Sequence, residues 1–261
     1  LIVCGEHGVR VRPFERQQAH GAFQFAAAEA SVERPRSRIT RSCALQMRAA
    51  RQAGRKLLLV AGPAVVPSGA ADHVVELIEG GWVDVLFAGN GLASYDIEVA
   101  LYGTCLGVCV NRPHSSDSGY THHLRAINAI RAAGGIRPAV ECGRLTSGIM
   151  HACVRRDVRW VLAGSIRDDG PLPDVVTDVL EAQGQMRAAA EGVGFALMLA
   201  SRLHATATAN LLPAATPLVC VDMATAVLAR IRERSPFQTL GVATDVEPFL
   251  RALIGELKAL D

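Results

Sequence analysis

The chain lacks the runs and motifs that mark most specialised proteins. Its most apolar region, residues 195–221, is broken by Arg202, His204, Asn210 and Pro213, so no stretch of about twenty apolar residues is available to span a membrane. Residues 1–20 carry charges and histidines without an apolar core, and no secretory signal is read there. The first residue is Leu1 rather than Met, so a fragment or a processed chain is expected. Aromatic residues are only 5% of the total and do not interleave the basic cluster Arg34-Pro-Arg-Ser-Arg38, so no nucleic-acid partner is expected. Seven cysteines, an odd number without paired spacing, fit a reducing cytoplasm better than a disulfide framework. Cys105 and Cys109 have no second Cys/His pair at zinc-like spacing, so no metal site is expected. The dinucleotide fingerprint G-x-G-x-x-G is also missing.

What is present is a large apolar inventory. With 261 residues, 50% of them hydrophobic and 20% charged, the chain can bury a sizeable core. Charge is uneven: residues 1–56 hold ten Arg and one Lys against four Glu, or +7, which leaves −5 of the net +2 for the rest. We therefore read residues 1–55 as a basic segment packing on a main domain, residues 56–261. Within the first segment, residues 9–13 alternate like an edge strand and residues 39–53 form an amphipathic helix ended by Gly54. From Lys56 onward the pattern becomes strand, loop, helix. Strands are expected at 56–61, 83–88, 160–163, 218–221 and 239–243, with a further one or a turn at 105–110. Helices are expected at 71–79, 96–102, 120–133, up to Val154, from Val175, at 195–209, 224–232 and 246–260. Asp174 is expected to cap the helix that includes Val175, Val176, Val179 and Leu180. The apolar helix pair over 175–209 serves as core or as a subunit interface of a homo-oligomer. At least five strand-loop-helix alternations predict an α/β fold, a parallel sheet with helices on both faces, and right-handed crossovers gather the strand-to-helix loops on one edge.

Those loops hold the candidate site. Residues 62–69, with Gly62, Ser68 and Gly69, and Thr146-Ser147-Gly148 open helices and are the best phosphate seats; singly, each glycine also reads as turn chemistry. Gly89 and Asn90 end the second strand. Gly164 and Ser165 end another, in the stretch 160–174, where Asp168 and Asp169 either face an amine-bearing substrate or stabilise the loop. Asp222 and Thr244-Asp245 follow later strands; for Asp222 and Asp245, a cofactor contact and a helix cap are equally open. His122 or His123 is placed as a general base and Arg125 as a carboxylate clamp, against solvated helix residues as the alternative.

Five segments set side by side carry a resemblance: Gly62-Pro-Ala-Val-Val, Asp84-Val-Leu-Phe-Ala-Gly-Asn90, His123-Leu-Arg-Ala-Ile-Asn128, Leu145-Thr-Ser-Gly-Ile-Met150 and residues 162–174. Together they resemble the archaeal ornithine cyclodeaminase family and the C-terminal part of cyanobacterial arginine dihydrolase/ornithine cyclodeaminases. The resemblance implies a Rossmann-like NAD-binding fold similar to that of deoxyhypusine synthase, and conversion of ornithine to proline with loss of ammonia. By motif position it places Gly62, Ser68, Gly69, Gly89, Asn90, Thr146, Ser147, Gly148, Gly164, Ser165, Asp222, Thr244 and Asp245 along NAD. Asp168, Asp169, His123, Arg125 and Tyr95 would face the amino-acid substrate. It also implies histidines where this chain has Pro67 and Tyr95; Tyr95 can still give a proton and Pro67 cannot. A small N-terminal domain, supplied separately, is a further expectation. Imine formation on a lysine, the chemistry of deoxyhypusine synthase, finds no candidate, because the only lysines are Lys56 and Lys258 and neither is on the loop edge.

Overall fold

The structure, a computed structural model, describes residues 36–109, 120–168 and 170–260; the expected edge strand at 9–13 and Asp169 lie outside them. The first described element is helix α1 (Arg36–Gln52). It is followed by β1 (Lys56–Ala61), a 3-10 turn (Pro63–Val65), α2 (Ala71–Glu79), β2 (Val85–Ala88) and α3 (Asn90–Tyr102). A short hairpin, β3 (Thr104–Cys105) and β4 (Val108–Cys109), stands apart from the main sheet. Then come α4 (Thr121–Ala133), α5 (Ile136–Glu141), α6 (Ile149–Arg155), β5 (Arg159–Ala163) and β6 (Val175–Val176). The rest alternates: α7 (Val179–Ala190), β7 (Val193–Leu199), α8 (Leu203–Leu211), β8 (Leu218–Asp222), α9 (Thr225–Arg234), β9 (Thr239–Ala243) and α10 (Val246–Leu260).

The main sheet has seven strands in the order β6-β5-β2-β1-β7-β8-β9, and every pairing is parallel. From β1 the chain moves outward through β2 and β5, then returns to lay β7 on the other side of β1. Leaving β6 aside, this is the 3-2-1-4-5-6 order of dinucleotide-binding sheets, and the reversal between β1 and β7 is where such sheets hold ligands. Continuous apolar strands are what a sheet covered on both faces demands. Leu57, Leu59 and Ala61 of β1 join the core beneath α1, α2, α3, α6 and α10, while Leu58 and Val60 join the one beneath α7, α8 and α9. Each such leucine, withdrawn from water, contributes roughly 2 kcal/mol.

Several expectations are corrected. Residues 195–209 are not one helix: Val193–Leu199 is the strand beside β1, and only α8 beyond it is helical. A fully apolar run has no periodicity to tell buried strand from buried helix. The supposed apolar helix pair is therefore split by a central strand. Val175 and Val176 are β6, paired with Leu162 and Ala163, as β-branched residues favour. Asp174 is consequently no cap for that helix; its Oδ2 accepts from Ile136 N at 2.9 Å, at the start of α5, a helix not anticipated. The cap of α7 is Asp178, whose Oδ1 accepts from Leu180 N at 2.8 Å and Glu181 N at 2.9 Å. Asp178→Ala should lower stability by about 1 kcal/mol, seen as a lower urea midpoint at unchanged slope. Residues 90–94, expected as loop, are the first turns of α3. Residues 105–109 form part of a hairpin, and Val110 lies outside the described residues. On α4 the buried face is His123, Ala126, Ile127 and Ile130, so Leu124, expected inside, is exposed. Among the described residues no helix is long and apolar enough to cross a membrane.

Candidate active site

Parallel strands bring the ends of β1, β2, β5, β7 and β8 to one edge, and glycines end the three at its centre and on one side, β1, β2 and β5. Gly62 follows β1 and donates its N–H to Leu199 O at 2.8 Å; a Cβ there would stand 1.8 Å from Ala200 O. Gly89, after β2, leaves room for His204 of α8, whose Cε1 would lie 2.8 Å from a Cβ. At Gly164, after β5, a Cβ would come within 3.1 Å of Val176 O and of the Val175 side chain, which a small shift would relieve. The strand ends and the segments that follow them are thus packed close together at the reversal.

Backbone donors are distributed differently from expectation. In residues 62–70 the N–H groups of Val65, Val66, Ser68, Gly69 and Ala70 all donate to carbonyls of the same loop, and Ser68 Oγ donates to Val65 O. The loop is folded on itself rather than open as a phosphate seat. At Thr146-Ser147-Gly148 the helix start is taken by a protein carboxylate: Asp96 Oδ1 accepts from Ile149 N at 2.7 Å and Oδ2 from Met150 N at 2.8 Å. Burial pushes the Asp96 carboxyl up to about 6, opposed by those two bonds, with Asp72 adding to the rise. Donors remain at the first turns of α3 and α8, where the N–H groups of Asn90, Gly91, Leu92, Leu203, His204 and Ala205 have no acceptor among the described residues. Both helices begin at the crevice.

The loop after β5 is held from within and from α3. Ser165 N donates to Asp168 Oδ2 at 2.7 Å, Arg167 N to Ser165 Oγ at 3.1 Å, and Leu172 N to the buried Asn90 Oδ1 at 3.0 Å. Asp168 therefore shapes the loop, and Asn90 fastens it. His204 Nε2 lies 3.1 Å from Ala163 O. Burial lowers the His204 pKa, against the pull of that carbonyl and of Asp168. A neutral ring facing a carbonyl carries its hydrogen on Nε2 and its lone pair on Nδ1.

Beside this loop sits a ring of histidines and tyrosines around Glu98. His123 Nδ1 is 3.1 Å from Glu98 Oε2, and its ring is flanked by Tyr95 at 5.6 Å and Tyr120 at 4.8 Å between centroids. His122 stacks on Tyr102 at 5.0 Å. Tyr95 is pushed above its ordinary pKa, first by burial and then by Cys105, Tyr120 and Glu98, while Arg167 pulls the other way.

Of the expected residues, the structure brings Gly62, Gly89, Asn90, Gly164, Ser165 and Asp168 to the crevice and puts Tyr95 against His123. Arg125 is elsewhere, on the exposed face of α4, without a hydrogen bond or ion pair among the described residues. Asp222 Oδ1 accepts from Ala224 N at 2.7 Å, which ties the turn before α9. Thr244 and Asp245 follow β9, at the outer end of the edge. Sequence reasoning missed Asp96, Glu98, Tyr120, Arg167 and His204. Their partners lie on other elements, and the one local signal was a pair of carboxylates, Asp96 and Glu98, in an otherwise apolar helix. No group of three or more His, Cys, Asp or Glu suited to a metal occurs among the described residues.

Comparison with known proteins gives this edge a context. A family model described as arginine dihydrolase ArgZ-like, C-terminal, Rossmann fold, matches residues 41–253, and the model for the first region of the same C-terminal part matches residues 1–40. The ornithine cyclodeaminase of Methanothermobacter thermautotrophicus is 46% identical over 262 residues, covering 100% of this chain and 64% of that protein. The bifunctional arginine dihydrolase/ornithine cyclodeaminase ArgZ of Synechocystis is 41% identical over 265 residues, 99% of this chain and 38% of that protein. The chain thus spans less than two thirds of the length of these relatives. The crystal structure of AgrE in ternary complex with ornithine and NAD+ aligns with a TM-score of 0.83 at 42% identity, over 88% of this chain and 34% of that one. A deoxyhypusine synthase-like protein of Entamoeba histolytica, 12% identical, aligns at a TM-score of 0.50 over 79% of this chain and 76% of that one, and shares the fold alone. With a match across nearly all of its length and relatives this similar, the chain belongs to the ArgZ-like C-terminal family, whose Rossmann fold it has.

Proposed function

We propose that the chain is the NAD-dependent unit of an ornithine cyclodeaminase, which converts L-ornithine to L-proline and ammonia. The observation that carries this reading is the set of glycines ending β1, β2 and β5, of which Gly62 has no room for a side chain and Gly89 and Gly164 have little, at the strand reversal that holds dinucleotides. The relatives' names and the ornithine and NAD+ in the AgrE complex support the choice of ligands. The donor set fits NAD: free N–H groups at the starts of α3 and α8 favour a pyrophosphate, and Asp222 is assigned to accept from a ribose hydroxyl. Ser68, Gly69, Thr146, Ser147, Gly148 and Ser165 line the same edge, with Thr244 and Asp245 at its outer end. When bound, NAD supplies a hydride acceptor for the substrate's α carbon and returns the hydride later, so the overall reaction has no net redox change. This chain's residues bind, orient and move protons. Arg167, which acts on Tyr95, holds the substrate carboxylate in place of Arg125 on the outer face of α4, and the family resemblance assigns Asp168 and Asp169 to its amino groups. Tyr95 and His123 handle protons, while the loop tied down by Asn90 excludes water.

Incubation with L-ornithine and NAD should yield proline and ammonia in equal amounts without net NADH. NADH accumulating with an amino acid would instead mark an oxidoreductase. Pro67, standing where the family pattern implies a histidine, favours a second reading, an NAD-binding unit idle without a partner domain. Tight NAD binding with no turnover until a separate small domain is added would select it.

A further inference from the structure

Glu98 is a carboxylate with no exposed surface, and such a group normally takes up a proton. Here burial does push its pKa up, but hydrogen bonds from His123, Gly107, Thr104 and Leu106 outweigh it, and Glu98 ends below the usual glutamate range. Oε1 accepts from Thr104 Oγ1 at 2.8 Å and Gly107 N at 2.9 Å; Oε2 accepts from Leu106 N at 3.0 Å and faces His123 Nδ1 at 3.1 Å. Three of these four donors belong to the β3–β4 hairpin.

The hairpin is also tied through Thr104 Oγ1, 3.1 Å from His122 Nδ1, and through Cys105, which is buried in the core. Its strands are two residues each, and an isolated hairpin of any length is marginal in water. Its turn residues both have positive φ, 51° at Leu106 and 77° at Gly107, and a leucine pays about 1 kcal/mol to sit there. Successive N–H groups in such a turn converge on an anion, and the anion here is Glu98.

An ionised carboxylate accepts and cannot donate. His123 Nδ1 must then carry a hydrogen, and in the neutral ring this leaves the lone pair on Nε2, an atom without a hydrogen-bond partner among the described residues. Tyr95 and Tyr120 confine the ring. We propose that Glu98 is the positioning residue of this site: it fixes His123 in the tautomer whose Nε2 takes up the substrate's proton, and the hairpin of residues 104–109 serves to hold that carboxylate. The proton-accepting role of Nε2 rests on the cyclodeaminase reading above; the tautomer does not.

The test uses the full chain labelled with 15N at histidine, with long-range 1H–15N correlation spectra and steady-state kinetics on wild type, Glu98→Gln and Thr104→Val. Wild type should show His123 as one tautomer, hydrogen on Nδ1. Glutamine presents either a donor or an acceptor, so Glu98→Gln should release the ring into a mixture and lower kcat about 10–100-fold, as loss of an orienting partner does. KM for ornithine and affinity for NAD should change less than about twofold, because only the proton-transfer group is disturbed. Thr104→Val keeps the carboxylate and removes one of its donors, so its effects should fall between; it also serves if Glu98→Gln does not fold. An unchanged His123 tautomer in both variants overturns the proposal, as does a lost tautomer with wild-type kcat. If wild type does not turn over ornithine at all, the functional reading fails, and the tautomer spectra alone decide what Glu98 does.

Discussion

Gly62→Ala is expected to cost about 4 kcal/mol or more and to abolish NAD binding in whatever folded protein remains. Backbone conformation is not the reason, since Gly62 has φ −90° and ψ 164°, which any residue adopts. Space is. A methyl group would stand 1.8 Å from Ala200 O and 2.6 Å from Ala200 C, both backbone atoms that cannot rotate aside. The two segments are pinned there by the Gly62 N–H to Leu199 O bond and by the register that pairs Ala61 with Leu199. Admitting the methyl group means parting β1 from β7 at the reversal, so the damage falls on core and crevice together. Gly69→Ala separates this effect from ordinary glycine strain: Gly69 has φ 78° with nothing within 4 Å of a Cβ, so it should lose only about 1–2 kcal/mol. Urea unfolding of both variants, alongside NAD titration, provides the measurement. Equal losses at the two positions would refute the close-approach account.

The expectation of a parallel α/β sheet came from short runs with hard boundaries. Lys56–Ala61 and Thr239–Ala243 are apolar, β-branched in part and closed by Gly62 and Thr244, so their limits coincide with those expected. Ala71–Glu79 and Val246–Leu260 carry a strong one-sided apolar stripe, which packing against a sheet requires. Residues 193–199 failed because a strand buried on both faces and a buried helix are both simply apolar. Residues 175–176 failed because two valines ahead of a helix look like its first turn until Leu162 and Ala163 are seen beside them. At the site, glycines at strand ends were legible, since a loop that must approach another backbone has few alternatives. What was not legible is where hydrogen-bonding groups are spent. Nothing in Thr146-Ser147-Gly148 announces that Asp96, some fifty residues earlier, fills the helix start; nothing in His123 announces Glu98. Those pairings exist only after α3, α4 and α6 pack together.

Asp96 carries the second large prediction. Both of its oxygens serve α6, at 2.7 Å from Ile149 N and 2.8 Å from Met150 N, in a pocket that leaves the residue 3% exposed. Asp96→Ala would strand two N–H groups where water does not reach, at about 1–3 kcal/mol each, and the total should fall near 2–5 kcal/mol. The wild-type carboxyl also makes stability depend on pH in an unusual direction. Its pKa is raised by burial from the ordinary 3.8 to about 6. Between those values the folded protein holds a proton that the unfolded chain has lost, so folding takes up a proton there. The contribution of Asp96 is therefore most favourable below about pH 4, declines as pH rises through about 6, and is flat above, a total of about 3 kcal/mol. Asp96→Asn cannot titrate; its amide oxygen keeps one of the two bonds, while its NH2 group opposes the other N–H. The variant should be less stable than wild type under acid conditions, and the gap should narrow by about 2 kcal/mol between pH 4.5 and 7.5. Using the difference between the two proteins cancels every other titrating group, including Glu98, whose lowered pKa acts in the opposite sense. A gap that does not move with pH would mean that Asp96 titrates in the folded protein as it does in the unfolded chain. Because Asp96 sits on α3 between Asn90 and Glu98, its bonds to α6 also set the helix that carries Tyr95, so Asp96→Ala should weaken NAD and ornithine binding before the protein unfolds.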